Sequence, residues 1–184
     1  MNPRISLYFI LILLSITACK RESPVDKEKE HALVLRDSLS TLVRKVMSSG
    51  KDSATQIDAQ RVWDDAQIIA AHTKGDTVSA NVLFEAGALL QAVNNIPKAI
   101  GTWGLIVEYY PESRYAPLAL FQQGIAFDND LHDKDNAGRY YKKFLTLYPK
   151  HKLASQVEQL MKVMDKSDEE LIREFEAKNK KENK

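Results

Sequence analysis

The sequence predicts an all-α fold: an α-solenoid of about three helical hairpins with flanking N- and C-terminal helices. Three observations carry that expectation. Glycine and proline are sparse, 7 and 6 of 184 residues, and good helix formers are plentiful. Apolar residues recur at spacings of three and four, as in Ala99, Trp103, Ile106, Val107 and Tyr110, which is the period of an amphipathic helix. One stretch also repeats: Ala99, Trp103, Ile106, Tyr110-Pro111 and Ala116 return 38 residues later as Ala137, Tyr141, Phe144, Tyr148-Pro149 and Ala154.

The first element, residues 1–18, has Arg4 ahead of an apolar run from Ile5 to Ile16. A run of about a dozen residues falls short of the ~20 needed to span hydrocarbon as a helix. A positive start, a short apolar stretch and then small residues form the pattern of a cleaved export signal. Ile16-Thr17-Ala18-Cys19 closes it, and Cys19 is the only cysteine, so no internal disulfide can form. These residues resemble the lipobox of bacterial lipoproteins. The resemblance implies cleavage before Cys19, lipid (palmitate among it) on that cysteine, and anchoring to a membrane. Lys20 rather than Asp follows the cysteine, which is similar to lipoproteins sent to the outer membrane. Residues 19–27 then read as the lipidated cysteine and a polar tether.

Removing residues 1–18 takes away Arg4 and no acid, leaving 25 basic against 25 acidic residues. Such a balance gives no electrostatic footprint for nucleic acid. Residues 28–53 are expected to hold an N-terminal helix (apolar at Leu33, Leu35, Leu39, Leu42, Val43 and Val46) and a break at Ser48 to Ser53.

Residues 54–165 carry the repeats. Leu83-Phe84, Gly87 and Leu90 correspond to Leu120-Phe121, Gly124 and Phe127, displaced by 37 rather than 38. The extra residue is expected in the connection Asp128 to Asn136. Pro111 and Pro149 should end their helices, because the residue before proline is driven from helical angles. Ser113 is placed to cap the following helix through its hydroxyl. The positions Leu83, Gly87, Leu90, Ala99, Trp103, Ile106 and Pro111, with Leu120, Gly124, Phe127, Ala137, Tyr141, Phe144 and Pro149, resemble the tetratricopeptide repeat. The resemblance implies that these residues build the repeat core. It also implies a non-enzymatic scaffold for envelope proteins or peptide segments, similar to lipoproteins of outer-membrane assembly or envelope coordination that face the periplasm. Ala54 to His72 fits as the second helix of a degenerate first repeat, with Ile57, Trp63, Ala66, Ile69 and Ala70 on one face and His72-Thr73 where Tyr-Pro would stand.

The last segment, residues 166–184, opens with the capping box Ser167-Asp168-Glu169-Glu170 and continues with Leu171, Ile172 and Phe175 before a basic tail. A polar capping helix suits the end of a solenoid.

No pattern for catalysis, cofactor or metal emerges. Asp128 to Asp135 alternates oxygen donors, but Asp133 and Arg139 occupy the places where a calcium loop needs glycine and glutamate. A solvated turn is the expectation there. Tyr109 and Tyr140 fall off the main apolar stripes and are the candidate partner-binding surface. Two other readings remain: an enzyme or accessory acting on peptidoglycan or polysaccharide, and a structural lipoprotein that self-associates.

Overall fold

The computed structural model describes residues 23–49, 57–164, 166, 170 and 173. The export signal, Cys19 and most of the expected capping helix lie outside them. The helices are α1 (Pro24–Ser49), α2 (Ala59–His72), α3 (Thr77–Ala92), α4 (Ile96–Tyr109), α5 (Tyr115–Ile125, continued by a π-helical turn, Ala126–Asp130), α6 (Lys134–Leu147) and α7 (Ala154–Met164). Among the described residues there is no strand. Successive helices pair as the hairpins α1–α2, α3–α4 and α5–α6, with α7 against α6, and α2 lies alongside α4 while α1 lies alongside α3. The all-helical stack of hairpins expected from the sequence is the architecture found.

Local chemistry explains the boundaries. α1 starts at Pro24, three residues before the expected end of the tether. Pro24 sits at the first helical position, and Ser23 and Asp26 cap each other: the Asp26 amide donates to Ser23 Oγ and the Ser23 amide to Asp26 Oδ2, both at 3.2 Å. α1 belongs to the solenoid, since its Leu39, Val43 and Val46 share one buried cluster with residues of α2, α3 and α4. The N-cap of α2 is Asp58, and that of α3 is Asp76. Asp76 also holds Arg36 of α1 at 2.9 Å, tying the first hairpin to the second.

Helices α4 and α6 stop before their prolines. Tyr110 (φ −134°, ψ 49°) and Tyr148 (φ −130°, ψ 52°) have left the helical region, as the following proline requires. α2 ends the same way at Thr73 (φ −124°, ψ 35°), 37 residues before Tyr110 and without a proline. Thr73, not His72, therefore occupies the tyrosine slot, which corrects the expected alignment by one residue. Thr73 Oγ1 lies 2.9 Å from Tyr110 Oη, so the same slot in consecutive repeats is joined by a hydrogen bond. The stripe Val62, Ala66, Ile69, Thr73 matches Ala99, Trp103, Ile106, Tyr110 and Ala137, Tyr141, Phe144, Tyr148. Trp63, expected within that face, is half-buried instead and meets Gly101 of α4, where an added Cβ would lie 2.9 Å from its ring.

The extra residue of the last repeat is not in a loop. It is absorbed inside the helix as the π-helical turn, where the Leu131 amide donates to the Ala126 carbonyl, five residues back, at 3.1 Å. Ser113 is a further correction. Its hydroxyl is buried with no hydrogen-bond partner, and the cap position of α5 is Arg114, whose side chain makes no capping bond.

Candidate functional site

In the second and third hairpins a glycine on the first helix receives an aromatic ring from the second helix. A Cβ on Gly87 would fall on the Trp103 indole, 2.6 Å from Cδ1, and one on Gly124 would lie 2.5 Å from Tyr141 Cε1. The rings are fully buried, and Trp103 Nε1 donates to the Phe84 carbonyl at 3.2 Å. Leu83, Leu90, Ala99, Ile106, Leu120, Ala137 and Phe144 are also buried. Three positions assigned to the repeat core are not. Pro111 and Pro149 are exposed and act only as helix ends, and Phe127 is half-buried.

Phe127 departs for a physical reason. Leu90, its counterpart 37 residues earlier, is fully buried on a regular helix. Phe127 lies in the π-helical turn and stacks instead on Tyr140, with ring centroids 5.0 Å apart and planes at 30°. The two rings form one side of a shallow recess of about 310 Å³, completed by Asn136, Arg139 and Lys143. Asn136, Arg139, Tyr140 and Lys143 share a helix face through their spacings of three and four. Arg139 also lines a second recess of about 250 Å³ with Lys134, Lys142, Met161 and Met164, between α6 and α7.

The two candidate tyrosines are not brought together by any contact among the described residues. Tyr140 is on the rim of the first recess. Tyr109, at the end of α4, packs against the main core, with Lys74 Nζ 5.0 Å from its ring centroid.

Charge separates along the stack. Over residues 57–109 six acids (Asp58, Asp64, Asp65, Asp76, Glu85, Glu108) face three bases (Arg61, Lys74, Lys98). Over residues 134–164 seven bases (Lys134, Arg139, Lys142, Lys143, Lys150, Lys152, Lys162) face two acids (Asp135, Glu158). Near-neutral overall charge conceals this asymmetry, which sequence reading for totals missed.

The acids between α5 and α6 are engaged locally. Asp133 caps α6 through the Asn136 amide at 3.0 Å, and Asp130 accepts from the Gln91 side chain at 2.7 Å. The Tyr141 hydroxyl donates weakly to Asp128, at 3.4 Å. Hydrogen bonds from the Asn136 amide and side chain hold the Asp133 carboxyl below the usual range. Burial, with Asp128 nearby, pushes the Tyr141 phenol up. Burial likewise raises Tyr110 to about 12, against the opposing hydrogen bond from Thr73. These shifts belong to packed or capping groups. Among the described residues no three His, Cys, Asp or Glu side chains are grouped to hold a metal ion. No described helix is long and apolar enough to cross a membrane. What the arrangement offers is surface: an aromatic pair beside two cations and an amide.

Residues 118–151, from α5 through α6, match the family model of the tetratricopeptide repeat. Repeats of this family typically act as non-enzymatic scaffolds that bind protein partners. No curated protein matches the chain.

Proposed function

We propose that this protein is a lipid-anchored scaffold that docks protein partners in the bacterial cell envelope. The observation that supports docking is how the hairpins spend their interior. Glycine–aromatic pairs fill it, and the recesses left, such as the one beside Tyr140, are shallow and lie on the surface. Enzymes and small-molecule sites favour enclosed, convergent cavities; stacked hairpins offer extended faces to other chains. The anchor reading rests on the sequence around Cys19: Arg4, the short apolar run and Ile16-Thr17-Ala18 before the cysteine. In that reading the tetratricopeptide-like domain stands off the outer membrane into the periplasm, and its partner is an envelope protein or peptide segment.

The test is capture from crosslinked cells, with the tagged full chain beside its Cys19→Ala form. The wild type is expected in the membrane fraction, labelled by fatty acid and bound to a defined envelope protein. Cys19→Ala should lose the label and the membrane association. Release of neither, or capture of nothing by either form, would sink the proposal. Concentration-dependent self-association with no partner would replace it by the structural alternative, and turnover of cell-wall polymer by the purified chain would replace it by the enzymatic one.

A further inference from the structure

We infer that the recess between Phe127 and α6 binds an acidic peptide segment that also carries an aromatic or aliphatic side chain. The inference deepens the docking proposal and rests on it. Phe127 and Tyr140 present one continuous apolar wall, because their rings are stacked at 5.0 Å. Such a wall takes up an apolar side chain at small entropic cost, since both rings are already fixed by each other. Arg139 and Lys143 stand one helical turn apart beside it, both exposed. Neither forms an ion pair among the described residues. Arg139 Nη1 donates to Asn136 Oδ1 at 3.3 Å, which orients the guanidinium while leaving its other donors for a carboxylate. The charge around it favours the same occupant: over residues 127–164 seven bases outnumber five acids, and three of those acids, Asp128, Asp130 and Asp133, are engaged by Tyr141, Gln91 and Asn136. A peptide fits better than an anionic membrane surface. The cations flank an aromatic recess of about 310 Å³ rather than lying on an open plane, which suits one or two side chains.

The experiment uses the full chain in nonionic detergent and three fluorescent peptides: Asp-Glu-Phe repeats, Asn-Gln-Phe repeats and Lys-Arg-Phe repeats. The acidic peptide should bind at least about tenfold more tightly than the amide peptide, and its affinity should fall with added salt. The double variant R139E/K143E should abolish the preference, and R139K/K143R should retain it. Lys29→Glu, an exposed change on α1, should leave it intact. Tyr140→Ala should weaken binding of both the acidic and the amide peptide by a similar factor. Equal binding of acidic and amide peptides, or an unaffected R139E/K143E, would overturn the inference. So would binding of phosphatidylglycerol vesicles through Arg139 and Lys143 without binding of the peptide. Circular dichroism checks that the variants fold, which surface positions should permit. Partner capture by R139E/K143E at the wild-type level overturns this inference and leaves the scaffold reading standing. Failure of the wild type to capture any protein overturns the scaffold reading, and the inference with it.

Discussion

The hairpins α3–α4 and α5–α6 are built on one plan and finished differently. Both place a ring against a glycine, Trp103 on Gly87 and Tyr141 on Gly124. In the first the ring's polar atom is paired with a backbone carbonyl, and the neighbouring Leu90 is sealed inside. In the second the phenol has only a long bond to Asp128, and the residue in the Leu90 slot, Phe127, has turned to the surface. The second hairpin is also packed on both sides, by α2 and by α5, and belongs to the larger buried cluster. The third hairpin splits: Tyr115, Ala119 and Ala126 join that cluster, while Leu120, Tyr141 and Phe144 form a separate, smaller one with α7. One inserted residue, taken up as a π-helical turn, thus converts a core position into a half-exposed one while leaving the frame intact.

Mutations at matched positions measure that difference. The largest effect is expected from Trp103→Ala, which should cost about 3–5 kcal/mol by removing a fully buried ring and leaving a cavity. Tyr141→Ala should cost less, because its cluster is smaller and nearer the end of the stack. Urea unfolding of the two variants checks the order, and an equal or reversed order would break the comparison. Gly87→Ala comes next, at about 1–3 kcal/mol, since its new methyl meets a ring held on all sides. Gly124→Ala should fall at the low end of that range, read by thermal melting.

Charge gives smaller effects. Asp76→Ala removes the cap of α3 and the partner of Arg36, for a loss of about 1 kcal/mol at neutral pH. Burial raises the Asp76 carboxyl, but hydrogen bonds from Ser79, the Val78 and Ser79 amides and Arg36 outweigh it and leave the group below its usual range. Its folded value is therefore depressed. The stability it supplies is present above the unfolded value of about 3.8 and is lost as pH falls through the folded value. The wild type should lose more stability than Asp76→Ala between pH about 5 and the acid limit. Asp133→Ala, which removes a cap in the third hairpin with no cation paired to it among the described residues, should shift stability less than Asp76→Ala does. At the alkaline end Tyr110, raised to about 12, favours the folded state below pH 10.0, and that stability is lost as pH rises through about 12. Tyr110→Phe should blunt the alkaline loss, seen as tyrosinate absorbance rising together with unfolding. The smallest change in stability is expected from deleting Asn129 within the π-helical turn. It should remove the Phe127–Tyr140 stacking signature in near-ultraviolet circular dichroism while the helical content persists.

What could be read in advance follows the same division. Pro111, Pro149, Gly87 and Gly124 were legible because steric necessity repeats: a proline ends a helix, and a ring needs a glycine opposite. The first hairpin was only half legible. Ala66 stands in the Trp103 slot and Thr73 in the Tyr110 slot, so the aromatic markers are gone although the packing is kept. The π-helical turn was visible only as a 38-residue spacing, since a turn of that kind has no residue signature of its own and a loop explains the count equally well. Ser113 looked like a cap by its position, but burial within the turn decided its role. The recess was missed for a related reason. Tyr140 drew notice for falling off the stripe, yet its partnership with Phe127 depends on the π-helical turn, and the basic end of the stack is hidden in an almost neutral total.

In the proposed role, this protein docks another through the face of its third hairpin. Site-specific photocrosslinking in living cells tests it most directly, with the reactive group placed in turn at Tyr140, at Lys143, and at Gln67 on the exposed side of α2. A discrete adduct with one envelope protein is expected from Tyr140 and Lys143, crosslinked to an acidic stretch of that protein, and none from Gln67. Adducts from Gln67 alone, or no adduct from any position, would contradict it.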